Sequence, residues 1–133
     1  MNSYYKILLF YFNISLIPTI RSKLHSAIDN RLEAMIDEGL IDEVKVLLKS
    51  EQLDSTCNSM KSIGYKQIFE YLKNNCTLDE AKENAKTSTR RLAKRQLTWL
   101  RSESSNIEID IDTDKTMDKS QAALQTLFNK NYS

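Results

Sequence analysis

A mainly α-helical chain with one or two short strands is what this sequence predicts, and three observations carry that reading. Only two glycines and one proline occur in 133 residues, which leaves little chain for hairpins and long loops. Apolar residues recur at three- and four-residue intervals over most of the length, the period of a helix with one buried face. Two stretches break that rhythm, an aromatic and β-branched run before Pro18 and an alternation of isoleucine with acid at 106–112. A hydrophobic share of 41% is enough for the modest core of one small domain.

The first element is the run Tyr4-Tyr5-Lys6-Ile7-Leu8-Leu9-Phe10-Tyr11-Phe12. It is too short to cross a bilayer, which takes about 20 apolar residues. It also lacks a small-residue cleavage pattern and any basic leader beyond Lys6. With its aromatic and β-branched residues stopping near Asn13, this start, which runs on to Pro18, reads as a strand buried on both faces of a mostly parallel sheet. No membrane segment is expected.

After Pro18, Leu24, Ile28, Leu32, Met35 and Ile36 mark a helix that stops at Gly39, a natural left-handed terminus. Leu40, Ile41, Val44, Leu47 and Leu48 form the stripe of a second, short helix. Ser50 to Ser59 reads as a polar loop. A third helix is expected from Met60 to about Lys73, with Gly64, Ile68 and Leu72 on one side. Thr77-Leu78-Asp79-Glu80 is a capping box, in which hydroxyl and carboxylate each satisfy the other's orphan backbone donor, and it opens a long helix reaching about Arg101. Ile107, Ile109 and Ile111 alternate with Glu108 and Asp110 as in a half-exposed strand. Met117 to Lys130 closes the chain as an amphipathic helix through Ala122, Ala123, Leu127 and Phe128.

Charge is unevenly placed along these elements. The net charge is only +1. Yet six acids, Glu103, Glu108, Asp110, Asp112, Asp114 and Asp118, gather after Arg101, while Asn84 to Ser102 contains none. Two regions follow, residues 1–101 and an acidic strand-helix tail at 102–133. At about 100° per residue, Arg90, Arg91, Lys94, Arg95, Thr98 and Arg101 fall on one side of the long helix. Ala85, Thr89, Leu92, Ala93, Gln96, Leu97, Trp99 and Leu100 fall on the other. Exposed helices ordinarily intersperse acids with their bases, so repulsion along this ridge is uncompensated unless a ligand brings anions. Arginine grips phosphate with a planar fork, and four of the five cations in Thr89–Arg101 are arginine. Trp99, on the apolar arc, is expected in the core.

Cys57 and Cys76 lack metal-ligand spacing, and His25 is the sole histidine. Both cysteines read as free thiols in a reducing cytosol, with neither a zinc site nor a disulfide framework.

Several separated blocks then agree on one family. Arg21-x-x-Leu24-His25, Ile28-Asp29-Asn30-Arg31-Leu32, Met35 and Gly39-Leu40-Ile41-Asp42-Glu43-Val44 come first. Met60-Lys61-Ser62-Ile63-Gly64-Tyr65-Lys66-Gln67, Tyr71-Leu72 and the basic run ending Lys94-Arg95-Gln96-Leu97-Thr98-Trp99-Leu100-Arg101 follow. Over about residues 4 to 101 the chain resembles the C-terminal part of the tRNA dimethylallyltransferases, the isopentenyl-diphosphate:tRNA transferase family. The resemblance implies a fragment of an α/β P-loop, nucleotide-kinase-like core, whose first strand here would be one of its late strands.

It also implies an activity. A dimethylallyl group passes from dimethylallyl diphosphate to N6 of the adenosine 3′ of the anticodon, with Mg2+ as cofactor and the tRNA anticodon stem-loop as partner, in the cytoplasm. Arg31 would grip the diphosphate, with Arg21 a weaker candidate on the same helix; read from the residues alone, Arg31 could equally snorkel to water or pair with a carboxylate. Ser62, Gly64, Tyr65, Lys66 and Gln67, and likewise Arg90, Arg91, Lys94, Arg95, Gln96, Thr98 and Arg101, would contact tRNA. From the residues alone, Gly64 serves either close helix packing or close approach of an RNA backbone, and Tyr65 is either core or contact. The family's phosphate-cradling loop and carboxylate base belong to an N-terminal half. With Gly39 and Gly64 the only glycines, this chain holds no such loop, no metal ligand is expected in it, and by itself it would be catalytically incomplete. A free-standing, non-catalytic helical RNA-binding module is the alternative.

Overall fold

A computed structural model of the chain describes residues 13–49, 61–103, 106–113 and 115–132. In order these form β1 (Asn13–Ile17), α1 (Arg21–Asp37), α2 (Leu40–Lys49), α3 (Tyr65–Leu72), α4 (Leu78–Ser102), β2 (Asn106–Asp110) and α5 (Thr116–Tyr132). The mainly helical class with two short strands is therefore observed. The chain divides into two compact units, Ile20–Gln96 and the pair of segments Met1–Thr19 and Leu97–Ser133. The sequence boundary at Arg101 marks a change of charge; this division marks a change of packing.

The Ile20–Gln96 unit is built from helices. α1 ends where Glu38 and Gly39 turn their N–H groups back to Ala34 and Ile36, and Gly39 then adopts φ +107°, a conformation that side chains disfavour. α2 packs on both α1 and α3. Leu40, Val44, Ile68 and Phe69 form its buried cluster, with Met35, Ile36, Ile41, Leu48, Tyr65, Leu72 and Leu78 packed around them. Val44 and Ile68 are the most completely enclosed, at 0% and 1% exposure. The third helix is shorter than its apolar pattern suggests. It starts at Tyr65 rather than Met60, because Gly64 at φ +98° breaks the helical path just before it.

Ahead of α4 the capping box forms as expected. Thr77 N–H donates to Glu80 Oε2 at 2.8 Å, and Glu80 N–H to Thr77 Oγ1 at 3.2 Å.

In the other unit, β1 and β2 pair in parallel, with Ile14 beside Ile107 and Leu16 beside Ile109. Ser15, Ile17 and Ile109 are buried while Leu16 is 55% exposed. Burial alternates along β1, and β2 is its single hydrogen-bonded neighbour among the described residues. The stretch Tyr5–Phe12 assigned to that strand, the loop at Ser50–Ser59, and Cys57 lie outside the described residues. Past the strands, Thr19 donates its N–H to Asp112 Oδ2 at 2.8 Å and its hydroxyl to Asp110 Oδ1 at 2.9 Å. The Asp110 carbonyl accepts from the hydroxyl of Thr116 at the start of α5. The alternation at 106–110 reads correctly as a half-exposed strand, with Ile109 inward and Glu108 outward. No described helix is long and apolar enough to cross a membrane.

Candidate functional site

The long helix α4 carries most of the candidate contacts. Ala81 and Ala85 are buried near its start. Beyond them Arg91, Lys94, Arg95 and Gln96 are exposed, with Thr98 and Arg101 exposed further along the same helix. No acid occurs between Asn84 and Ser102 to neutralise this run locally.

Arg90 behaves differently from the residues expected beside it. Its Nη2 donates to both carboxylate oxygens of Asp29 on α1, each at 2.6 Å. Lys86 Nζ and Lys82 Nζ meet Glu33, one turn further along α1, at 3.0 and 2.6 Å. Part of the repulsion along the ridge is thus answered by acids more than 40 positions away, which sequence proximity could not reveal. A signal did exist, since Asp29 and Glu33 are spaced i,i+4 and Lys82, Lys86 and Arg90 i,i+4,i+8, each set stacked on one helix face. The Lys82 ammonium first, then that of Lys86, holds the Glu33 carboxyl below its usual range, and Glu33 in turn holds Lys86 above its own.

Trp99 also departs from expectation. It stands 62% exposed, because the apolar arc says which side of α4 can be covered, not how far along a 25-residue helix the cover extends.

The turn before α3 gathers the second set. Ser62 and Lys66 are exposed. The backbone N–H of Gly64 donates to Gln67 Oε1 at 2.8 Å, so Gln67 caps its own helix. A Cβ built on Gly64 meets nothing within 4 Å. Gly64 is itself buried, and its positive φ is a backbone conformation that a side chain would strain. Tyr65 packs against the core and donates its hydroxyl to Glu43 Oε1 at 2.5 Å, a bond that raises the phenol above its ordinary range. Tyr65 thus ties α3 to α2.

On α1, Arg31 is exposed. Arg21, exposed at the helix start, places its Nε 3.4 Å from His25 Nε2. Cys76 is a half-buried free thiol. Among the described residues, no three of His, Cys, Asp and Glu are grouped to hold a metal ion.

A helical unit with its own apolar core thus presents an exposed helix face given to arginine and lysine, a local surface of positive charge. Comparison with known proteins makes this specific. Residues 4–103 match the family described as IPP transferase, and the chain belongs to that family. It is 42% identical over 97 residues to the tRNA dimethylallyltransferase of Thiobacillus denitrificans, covering 73% of this chain and 31% of that protein. With the tRNA dimethylallyltransferase of Nitrosomonas eutropha it shares 44% identity over 90 residues, 68% of this chain and 28% of that protein.

Two solved structures are similar over 90% of the chain. The full-length tRNA isopentenylpyrophosphate transferase of Bacillus halodurans superposes with a TM-score of 0.80 at 38% identity, over 40% of its own length. The tRNA delta(2)-isopentenylpyrophosphate transferase of Staphylococcus epidermidis gives 0.71 at 28%, over 37% of its length. The chain spans about a third of the length of the curated relatives it matches.

Proposed function

We propose that this chain is the C-terminal, tRNA-contacting part of a cytoplasmic tRNA dimethylallyltransferase, a prenyltransferase moving a dimethylallyl group from its diphosphate to N6 of the adenosine 3′ of the anticodon. The observation that carries this reading is the exposed set Arg91, Lys94 and Arg95 on α4 of a chain that belongs to the IPP transferase family. Their positive charge suits the phosphates of an anticodon stem-loop. Gln96, Thr98 and Arg101, exposed on the same helix, are further candidate contacts. The exposed Ser62 and Lys66, on either side of Gly64, offer a second point of contact for a splayed RNA backbone.

Arg31 supplies the contact to the donor. A guanidinium placed at the diphosphate stabilises the charge that builds on its oxygens as the carbon–oxygen bond breaks. The acceptor adenosine has to leave its stack to be reached, and cations holding the flanking phosphates hold it out. Mg2+ belongs to the reaction as the resemblance implies it, but the described residues do not form a ligand set for it. The phosphate-cradling loop belongs to the remaining part of the protein, the natural partner of this one. The alternative is a free-standing, non-catalytic helical RNA-binding module, which would bind tRNA with no partner protein.

Titrating an unmodified anticodon stem-loop RNA into the chain across a salt series tests the reading. Binding is expected to weaken with salt, with a log–log slope of about −0.7 per phosphate neutralised. Changing Arg91, Lys94 and Arg95 together to alanine is expected to abolish it. Undiminished binding by that variant would overturn the placement of the RNA site on α4.

A further inference from the structure

Arg90 and Arg91 are adjacent arginines at the start of the ridge, and the structure treats them oppositely. Arg91 is exposed, whereas Arg90 lies against Asp29 with its side chain 30% and the carboxylate 34% exposed. Among the described residues, Arg90 Nε is buried without a hydrogen-bond partner. A part-exposed ion pair contributes only about 0–1 kcal/mol, and a buried donor left unmade costs more than a bond gains. Net stability is therefore a poor account of Arg90.

Direction is a better one. Successive residues on a helix are about 100° apart, so whichever arginine Asp29 holds decides which face of α4 turns outward. With Arg90 held, Arg91 and Arg95, one turn apart, stay on the open side. Glu33, one turn along α1, takes Lys86 and Lys82 at the matching spacing, so the two acids read the same helix face twice.

We propose that Asp29 and Arg90 form a positioning pair that sets the azimuth of α4 and so presents Arg91 and Arg95 to RNA, without either residue touching the RNA itself. The proposal rests on the RNA-binding reading above. It makes a prediction of unusual sign. Asp29→Asn removes a negative charge, so electrostatics alone would tighten binding; loss of positioning weakens it instead.

The test compares stem-loop RNA affinity over a salt series for the full chain and four variants, with helicity followed by circular dichroism. Asp29→Asn is expected to weaken binding roughly tenfold. Arg90→Gln should weaken it similarly while leaving the salt slope unchanged. Arg95→Gln, in contrast, should lose affinity and also about 0.7 of slope, the share of one phosphate. Exchanging the pair, Asp29→Arg with Arg90→Asp, should recover binding in part, and decides the matter together with Asp29→Asn if Arg90→Gln does not fold.

Tighter binding by Asp29→Asn, or a slope lowered by Arg90→Gln as by Arg95→Gln, would make Arg90 an ordinary phosphate contact and overturn the proposal alone. Absence of binding by the unaltered, helical chain would remove the RNA-binding reading and this proposal with it.

Discussion

The Ile20–Gln96 unit gathers buried apolar residues into one cluster, while the unit made of Met1–Thr19 and Leu97–Ser133 buries Ile17 and Ile109 but leaves more large apolar side chains in water. In the first, Leu40, Val44, Ile68 and Phe69 are all under 9% exposed. In the second, Leu16, Trp99, Ile111, Met117 and Leu124 are all more than 40% exposed, Met117 at 81%. Among the described residues, the second unit therefore offers more apolar surface that burial elsewhere would stabilise, whereas in the first only Ile20 and Val46 stand so exposed. It also separates two kinds of change, those that unfold a core and those that alter only a surface.

Ile68→Ala should produce the largest effect. Emptying a fully enclosed position costs about 3 kcal/mol, measurable as a fall in the urea midpoint, and a cost below about 1 kcal/mol would mean the helical unit is less closed than it looks. Gly64→Ala comes next. Because its Cβ would meet nothing, the whole penalty, about 1–2 kcal/mol, is backbone strain at positive φ, and a neutral result would show that the turn relaxes. Thr77→Ala removes the cap of α4 and should cost about 1 kcal/mol by the same measurement.

A smaller, pH-dependent effect comes from the ladder between α1 and α4. Glu33 is held below its ordinary range, so its contribution is complete above the unfolded carboxylate value of about 4.3 and fades as pH falls through the lower folded value. Lys86 is held above its ordinary range, so its contribution is complete below about pH 10.4 and is lost as pH rises through the folded value. Glu33→Gln should flatten the acid limb of a plot of urea midpoint against pH; an unchanged limb would remove the ladder as its cause. The smallest effect is reserved for the open unit. Leu16→Ser should alter stability by no more than about 0.5 kcal/mol while reducing aggregation, and a loss comparable to that at Ile68 would erase the contrast between the units.

Much of this was legible before any coordinates. The stripes at Leu32 and Met35, at Leu40 and Val44, and at Ile68 and Leu72 all turned inward, and the box Thr77–Glu80 closed as its residues require. The start of α3 was not legible to the residue, because a glycine interior to an apolar pattern does not announce a positive φ. The exposed ridge was visible at Arg91 and Arg95 but not the withdrawal of Arg90, since a helical wheel has no view of a neighbouring helix.

The sequence by itself determined which residues form helices and strands, which face of each is apolar, where two helices are capped, and the family to which the chain belongs. These are local matters, fixed by side-chain period and backbone preference within a few turns. Only the tertiary structure decided that Asp29 takes Arg90, that Trp99 stays in water, and that Thr19 meets Asp112 from 93 positions away. Those outcomes depend on which elements pack together and how far each covers the next, and a periodic pattern carries no information about distance in space.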